Sequence, residues 1–311
     1  MKVTRQDVQS AAQRIGGRVR RTPLWRPSDD GSPWLKLEHL QHCGVFKTRG
    51  AFNRQLAGLD SGEITDAGIV IASGGNAGLA QAFAARELGI RATVFVPESA
   101  PRVKVDRIRA YGAEVRRAGS EFAEAYRASA DFAEQSGAVL AHAYDQVEVA
   151  AGAGTLAEEI LEDEPSIDTI VVAVGGGGLY AGVAASAAGR ARVVAVEPES
   201  CPTLHRAVEA GRPVDVSVSG VAADSLGARR LGELAFAAVA AEAPVPVMVT
   251  DDEIVAARTA LWDEFRVPSE HGAAAAYAAL HSGRYVPQDG ERVAVVVCGA
   301  NTDTATLALP A

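Results

Sequence analysis

The sequence is poor in cysteine and has no long hydrophobic run. Its 311 residues include three cysteines, Cys43, Cys201 and Cys298. This small, odd number excludes a disulfide framework and is typical of a reducing compartment. The N-terminal residues lack the apolar core of roughly 7 to 15 residues that marks a signal peptide, and no apolar stretch reaches the roughly 18 residues that cross a bilayer. The sequence therefore predicts a cytoplasmic protein.

Positive charge is also scarce. The formal net charge is −9 and the isoelectric point is near 5.3, and lysine and arginine form no long run. Because nucleic acids and anionic membranes are bound through basic surfaces, we expect neither as a partner. An anionic ligand must then be held by local groups and not by a broad basic field.

Short apolar runs alternate with amphipathic stretches along most of the chain. Apolar residues make up 48% of the sequence and charged residues 22%, as in ordinary globular proteins. The predicted strands are 34–38, 69–72, 92–96, 113–116, 169–174, 193–196 and 292–297, and the predicted helices are 4–16, 51–59, 76–88, 102–111, 121–135, 252–265, 272–280 and one from 179. This alternation is typical of βαβ units and parallel sheet. The elements form two groups, within 50–147 and 150–311, which predicts two α/β lobes; residues 198–225 and 240–250 show no clear pattern.

A run of four glycines, Gly175–Gly178, follows the strand predicted at 169–174 and begins the helix predicted from Leu179. Backbone N–H groups in such a turn can surround a phosphate, helped by the positive end of the helix. The run also fits a dinucleotide-binding pattern, since Ala181 completes Gly-x-Gly-x-x-Ala and Glu197 lies about 20 residues further on, where a ribose-binding acid belongs. The glycines could instead serve only close packing. Taken alone, the run leaves these alternatives open.

A second turn between a strand and a helix contains Ser73, Gly74, Gly75, Asn76 and Ala77. From the residues alone it fits a capping turn, in which Ser73 or Asn76 satisfies the first N–H groups of the next helix.

One cluster has metal-like spacing. His39, His42 and Cys43 lie close together in sequence, but a zinc site needs three or four ligands and no second pair recurs. We therefore predict no metal at this cluster and assign no metal-binding residues, and a monovalent or divalent cation site elsewhere stays open.

The run around Lys47 resembles a known family motif. Residues 36–51 read K-L-E-H-L-Q-H-C-G-V-F-K-T-R-G-A, similar to the lysine motif of the fold type II pyridoxal phosphate enzymes, usually written K-x-E-x-x-Q-x-x-G-S-F-K-x-R-G-A. Val45 replaces the serine of that motif and is the only departure. The resemblance implies that Lys47 is the catalytic residue and carries pyridoxal 5'-phosphate as a Schiff base, and that Phe46 packs on one face of the cofactor ring.

Three further segments resemble motifs of the same enzymes, in the same order along the chain. The turn at Ser73, Gly74, Gly75, Asn76 and Ala77 resembles the loop that binds the substrate carboxylate through N–H groups, with Asn76 bonded to the 3′-oxygen of the cofactor. The glycine run resembles the phosphate loop, which implies that the phosphate is bound by Gly175, Gly176, Gly177, Gly178 and Leu179. Cys298 directly follows the last predicted strand, where the family places Ser, Thr or Cys opposite the pyridine nitrogen; a buried structural cysteine is the alternative.

The resemblance covers nearly the whole chain and is strongest to the serine/threonine dehydratases, in particular the serine dehydratase-like members. It implies an α/β fold of two open, mostly parallel-sheet lobes, like that of tryptophan synthase β, with the cofactor in the cleft between them. Residues 1–46 and 148–311 would form a large domain that binds the cofactor, and residues 47–147 a small domain that carries the substrate loop. The resemblance also implies a homodimer.

The implied reaction is dehydration and deamination of L-serine and/or L-threonine to pyruvate or 2-oxobutanoate plus ammonia. Relatives that racemise serine carry a second serine where this sequence has Gly74, which has no proton to exchange, so elimination is expected. A thiol at Cys298 should leave the pyridine nitrogen unprotonated, which also favours elimination. Another fold type II reaction, such as that of threonine synthase or a β-replacement, and dehydration of a different 3-hydroxy amino acid remain alternatives. An NAD-dependent oxidoreductase is a distant alternative that rests on Glu197.

Overall fold

The computed structural model describes residues 1–28, 31–241 and 245–307. In these residues ten strands form two sheets. The strands are β1 (Leu24–Trp25), β2 (Trp34–Leu37), β3 (Ile69–Ala72), β4 (Ala92–Val96), β5 (Glu114–Arg117), β6 (Val139–Leu140), β7 (Thr169–Ala173), β8 (Arg192–Pro198), β9 (Val245–Val249) and β10 (Val293–Val297). The larger sheet has the order β1-β2-β10-β7-β8-β9 and the smaller β5-β4-β3-β6. Within the described residues every pair is parallel except β1 with β2.

Helices cover both sheets. They are α1 (Arg5–Ile15), α2 (Lys47–Asp60), α3 (Asn76–Leu88), α4 (Arg102–Arg109), α5 (Phe122–Ser136), α6 (Val147–Asp163), α7 (Gly178–Ala187), α8 (Thr203–Ala210), α9 (Ala223–Leu226), α10 (Glu233–Ala241), α11 (Asp251–Phe265) and α12 (His271–His281). The central strands β7 and β10 are buried at every position, as expected for parallel strands covered on both faces. The α/β class and the two mostly parallel lobes predicted from the sequence are confirmed.

Local sequence signals account for many element ends. The helix predicted over 4–16 is α1, and the side chain of Thr4 accepts a hydrogen bond from the N–H of Asp7 while the Asp7 carboxylate accepts one from the N–H of Thr4. This reciprocal cap satisfies two N–H groups that the helix itself leaves without partners. At the C-terminus of α3, Gly89 adopts the left-handed conformation with φ of 69°, which is common where helices end.

Several elements lie where the sequence showed no clear pattern. Helix α8 lies within residues 198–225, and β9 lies within 240–250, of which residues 242–244 fall outside the described part of the chain. Helix α6 was not predicted either, because Gly152 and Gly154 interrupt its helical pattern. These glycines serve packing: a Cβ on Gly154 would lie 2.4 Å from the carbonyl oxygen of Gly182 in α7.

Parallel strands place their carboxyl ends at one edge of a sheet. The turn after β3 leads into α3, and the turn after β7 leads into α7. Ligands of open parallel sheets bind beyond such strand ends. Among the described residues, no helix is both long enough and apolar enough to span a membrane.

Candidate active site

A cavity of about 680 Å³ lies where the strand ends of the two sheets meet. Its wall brings together every residue that the sequence analysis assigned to cofactor or substrate. These are Phe46, Lys47, Ser73, Gly74, Gly75, Asn76, Ala77, Gly175, Gly176, Gly177, Gly178, Leu179 and Cys298. Segments far apart in the sequence therefore form one site.

Lys47 is the first residue of α2, and its amine points into this site. Its Nζ donates a hydrogen bond to the carbonyl oxygen of Ala143 at 3.0 Å. Burial lowers the pKa of Lys47 below its usual value, and the nearby Cys298 and Glu270 act in the opposite direction. A buried amine with a lowered pKa gives up its proton readily, so it can act as a nucleophile or as a base.

The end of β10 fixes the backbone just before Lys47. The N–H of Phe46 donates to the carbonyl oxygen of Cys298 at 2.9 Å, and Val45 forms a β-bridge with Gly299. Cys298 itself is buried, and burial raises the pKa of its thiol far above the usual value. The thiol is therefore neutral at physiological pH.

The glycine turn between β7 and α7 presents N–H groups to the cavity. Among the described residues, no protein acceptor pairs with the N–H groups of Gly175, Gly176, Gly177, Gly178 or Leu179. Gly177 has a φ of 86°, a conformation that favours glycine. A Cβ on Gly176 would lie 2.5 Å from ring atoms of Tyr144, so a larger residue would displace that ring. Unpaired N–H groups at a helix N-terminus form an anion site.

The turn between β3 and α3 is a second site of this kind. Helix α3 begins after Gly75 without a hydrogen bond from a capping side chain, so the capping role considered for Ser73 or Asn76 is wrong. Ser73 Oγ instead accepts the N–H of Gly75 at 3.4 Å. A Cβ on Gly78 would lie 1.9 Å from the carbonyl oxygen of Ser73, so the tight turn requires glycine there. Among the described residues, no protein acceptor pairs with the N–H groups of Gly74, Asn76 or Ala77, and these residues line the cavity.

The sequence analysis missed a buried carboxylate on the cavity wall. Glu270 precedes α12 and is 7% exposed. Its two carboxylate oxygens accept hydrogen bonds from Nδ2 of Asn76 at 2.9 and 3.0 Å. Burial raises the pKa of Glu270 to about 7, although the bond from Asn76 and the charge of Lys47 oppose this shift. No local motif surrounds Glu270, so only the folded chain reveals its place beside Lys47.

Aromatic side chains that the sequence analysis also missed line another part of the wall. Phe122 and Tyr126 of α5 stack with ring centroids 6.3 Å apart, and His142 meets the edges of Tyr126 at 6.3 Å and of Tyr144 at 4.6 Å. His142 Nδ1 accepts the N–H groups of Tyr144 and Asp145, and burial lowers the pKa of the imidazole. His142 is therefore neutral and carries its proton on Nε2.

Other polar residues of the Lys47 motif form an ion cluster beneath the site. Arg49, whose side chain has no exposed surface, binds both carboxylate oxygens of Glu38 at 2.8 and 2.9 Å. It also binds Glu159 at 2.7 and 2.8 Å, and Glu159 accepts a bond from the Lys36 amine at 2.6 Å. These residues of the motif hold the start of α2 in place and do not reach the cavity.

The structure removes the basis of the dinucleotide alternative. Glu197 is buried, and its carboxylate accepts the N–H groups of Leu204 and His205 at 2.8 and 2.7 Å. It therefore binds the start of α8, and it is not among the residues that line the cavity. His42, from the metal-like cluster, stacks on Phe83 with ring centroids 5.0 Å apart.

The groups around the cavity fit pyridoxal phosphate. The glycine turn offers unpaired N–H groups for a phosphate, and the Lys47 amine can react with an aldehyde carbon. The turn before α3 offers N–H groups for the carboxylate of an amino acid. Pyridoxal phosphate and an amino acid would therefore together engage the Lys47 amine and both turns that carry unpaired N–H groups.

Comparisons with known proteins identify the family. The model of the family described as pyridoxal-phosphate dependent enzymes matches residues 15–299. An L-threonine ammonia-lyase of Geobacter sulfurreducens is 36% identical over 310 residues, which cover 97% of this chain and 76% of that protein. A phenylserine dehydratase of Ralstonia pickettii is 36% identical over 298 residues, 93% of this chain and 90% of that protein. The structure of maize serine racemase matches with a TM-score of 0.91 at 31% identity, over 99% of this chain and 96% of that one. The chain thus belongs to the family of pyridoxal-phosphate dependent enzymes.

Proposed function

We propose that this protein is a pyridoxal phosphate-dependent ammonia-lyase that converts L-serine and/or L-threonine to pyruvate or 2-oxobutanoate and ammonia. The observation that carries the proposal is the Lys47 amine, which lies in a cavity bordered by two turns with unpaired N–H groups. One turn suits the phosphate of the cofactor and the other the carboxylate of an amino acid. A base between two anion sites is suited to removing the Cα proton of an amino acid held beside the cofactor.

The residues of the site have distinct roles in this reaction. Pyridoxal phosphate, when bound, supplies the electron sink that makes the Cα proton of an amino acid acidic. Lys47 would hold the cofactor through its amine and would take the Cα proton of the substrate; its lowered pKa favours the neutral form that proton removal needs. Gly175–Gly178 and Leu179 would bind the phosphate, Phe46 would pack on the ring, and Asn76 would donate to the 3′-oxygen. The turn at residues 73–77 binds the substrate carboxylate.

Elimination is the proposed outcome because the site offers no second acid at Gly74. This residue lies on the cavity wall and has no side chain that could return a proton to Cα from the side opposite Lys47. The neutral thiol of Cys298 also lacks the negative charge that would keep the pyridine nitrogen protonated. Both features disfavour racemisation and favour loss of the β-hydroxyl group.

The aromatic wall favours a second candidate, a larger 3-hydroxy amino acid with an aromatic substituent. Phe122 is 58% exposed and Tyr126 37% exposed, yet both line the cavity, and exposed apolar surface in a pocket suits an apolar ligand. The phenylserine dehydratase among the relatives supports this candidate. If these rings contact the substrate, Phe122→Ala should lower kcat/KM for phenylserine by about tenfold, equivalent to about 1.4 kcal/mol, and leave that for serine nearly unchanged. Val103→Ala, which removes an exposed side chain outside the cavity wall, should change neither value.

The test of the main proposal is ammonia release from a panel of serine, threonine and phenylserine by the wild type and by Lys47→Ala. We expect release without any added nucleophile, together with absorbance from bound cofactor, and the loss of both in Lys47→Ala. Lys2→Ala, at the exposed N-terminus, is the matched control and should retain both. Turnover that persists in Lys47→Ala would contradict the assignment, and product formation only with an added nucleophile would favour a β-replacement enzyme.

The wider organisation is also proposed. The smaller sheet lies within residues 47–147 and the strands of the larger sheet lie outside that range, which supports a large domain of residues 1–46 and 148–311 and a small domain of residues 47–147. We propose a homodimer in the cytoplasm, and the mass of the purified protein in solution tests the oligomeric part.

A further inference from the structure

A chain of polar side chains runs from the surface of α4 to the buried Glu270. Asn76 Nδ2 donates to Glu270, and Asn76 Oδ1 accepts from Asn301 Nδ2 at 2.8 Å. Asn301 Oδ1 in turn accepts from Arg107 at 2.6 Å. We infer that Glu270 is a positioning residue that, together with Asn301, fixes the amide of Asn76 so that one of its N–H bonds points at the cofactor. This inference rests on the proposed function, in which Asn76 binds the 3′-oxygen.

The partners of Asn301 determine which way each amide points. Asn301 Nδ2 also donates to the carbonyl oxygen of Cys43 at 2.9 Å. A carbonyl only accepts and the guanidinium of Arg107 only donates, so the nitrogen and oxygen of Asn301 cannot exchange places. The oxygen of Asn76 must then face Asn301, and its nitrogen must face Glu270.

One N–H of Asn76 remains for a ligand. The two oxygens of a single carboxylate lie side by side, whereas the two N–H bonds of a planar amide diverge by about 120°. Glu270 therefore shares one N–H between its two oxygens, and among the described residues nothing else accepts from Asn76 Nδ2. Asn76 lines the cavity that contains the Lys47 amine, so the second N–H is a fixed donor beside the proposed cofactor site.

This arrangement makes the donor sensitive to the charge of Glu270. An ionised carboxylate only accepts, which holds the nitrogen of Asn76 in place, whereas a protonated one carries an O–H that competes for a partner. The charged and titratable groups near Glu270 are Lys47 from α2, Cys298 after β10, Asp224 from α9, and Lys104 and Arg107 from α4. Since burial raises the pKa of Glu270 to about 7, we expect the affinity for the cofactor to fall as the pH decreases through about 7.

The experiment measures the Kd of pyridoxal phosphate for cofactor-free protein from about pH 5 to about pH 9, roughly two units on each side of the pKa of Glu270 of about 7. Glu270→Ala removes the acceptor and should weaken binding by about tenfold at pH 8. Glu270→Gln keeps one acceptor oxygen and cannot ionise, so it should bind within about threefold of the wild type at pH 8 and lose the component of the pH dependence near 7. Glu158→Gln, a buried carboxylate held by Ser186 and Arg190, is the control and should keep the wild-type profile.

The outcomes separate this inference from the proposed function. A borohydride-reduced wild type without cofactor on Lys47 contradicts the proposed function itself. Cofactor on Lys47 together with wild-type affinity and pH dependence in both Glu270 variants overturns only the role of Glu270. If Glu270→Ala does not fold, Glu270→Gln still decides: a profile that keeps the wild-type step near pH 7 overturns the inference, and a profile without that step supports it.

Discussion

The ion cluster beneath the active site should make the fold depend on Arg49. The cluster contains two cations, Lys36 and Arg49, and two anions, Glu38 and Glu159. The side chains of Arg49 and Glu38 have no exposed surface, so Arg49→Leu leaves a buried negative charge without its partner. Loss of one partner of a buried ion pair costs about 3 to 5 kcal/mol. At about 2 °C per kcal/mol, the midpoint of thermal unfolding should fall by roughly 6 to 10 °C.

The assay compares the unfolding midpoints of Arg49→Leu, Glu38→Leu and the double variant. Each single variant leaves a buried charge, whereas the double variant removes a complete pair and leaves Lys36 bound to Glu159 at 2.6 Å. We therefore expect the double variant to be more stable than the sum of the single effects predicts, by about 2 kcal/mol.

An exposed ion pair provides the control. Arg102 lies 3.3 Å from Asp106, and their side chains are 91% and 51% exposed, so Arg102→Leu should cost less than about 1 kcal/mol. The reasoning is refuted if Arg49→Leu costs no more than Arg102→Leu, or if the effects of Arg49→Leu and Glu38→Leu simply add.

Three further predictions concern the site and its packing. Gly176→Ala should weaken cofactor binding by about tenfold or more, equivalent to about 1.4 kcal/mol, because the new Cβ would lie 2.5 Å from the ring of Tyr144. A Kd for the cofactor close to that of the wild type would argue against a phosphate at this turn. Cys298→Ser keeps a neutral hydrogen-bonding group at this position. The value of kcat/KM should therefore stay within a few-fold of the wild type, which corresponds to about 1 kcal/mol. A much larger loss would show that the thiol itself is needed. Gly182→Ala should lower the free energy of unfolding by about 1 to 3 kcal/mol through overpacking, because the new Cβ would lie 2.0 Å from the carbonyl oxygen of Ala150. Denaturant unfolding of the variant and the wild type measures this difference in free energy.

The sequence predicted the elements whose hydrophobic pattern is local. The strands at 69–72 and 92–96 and the helix at 76–88 lie where their patterns predicted them. Their apolar runs are short and are bounded by glycine or polar residues, so few other secondary-structure assignments fit these segments. Helix α6 could not be recognised in this way, since its interior glycines are explained only by the close contact with α7.

In the candidate site, too, the features that could be predicted are those encoded by consecutive residues. Lys47 and both glycine-containing turns could be found from sequence because each carries its chemistry within a few consecutive residues. Glu270 could not, because its significance lies in the contact with Asn76, 194 positions away in the sequence. Glu197 illustrates the reverse error, since its spacing from the glycine run fits a ribose-binding acid while its carboxylate binds the N–H groups at the start of α8.

The central claim is that Lys47 carries the cofactor, and the chain offers a direct test because it contains four lysines, Lys2, Lys36, Lys47 and Lys104. Lys36 is tied to Glu159 beneath the site and Lys104 pairs with Asp224. Reduction of the cofactor-loaded protein with borohydride, followed by peptide mass spectrometry, should find the pyridoxyl group on the peptide that contains Lys47 and on none of the others. A modification on another lysine, or an unmodified Lys47 peptide in fully loaded protein, would contradict the account.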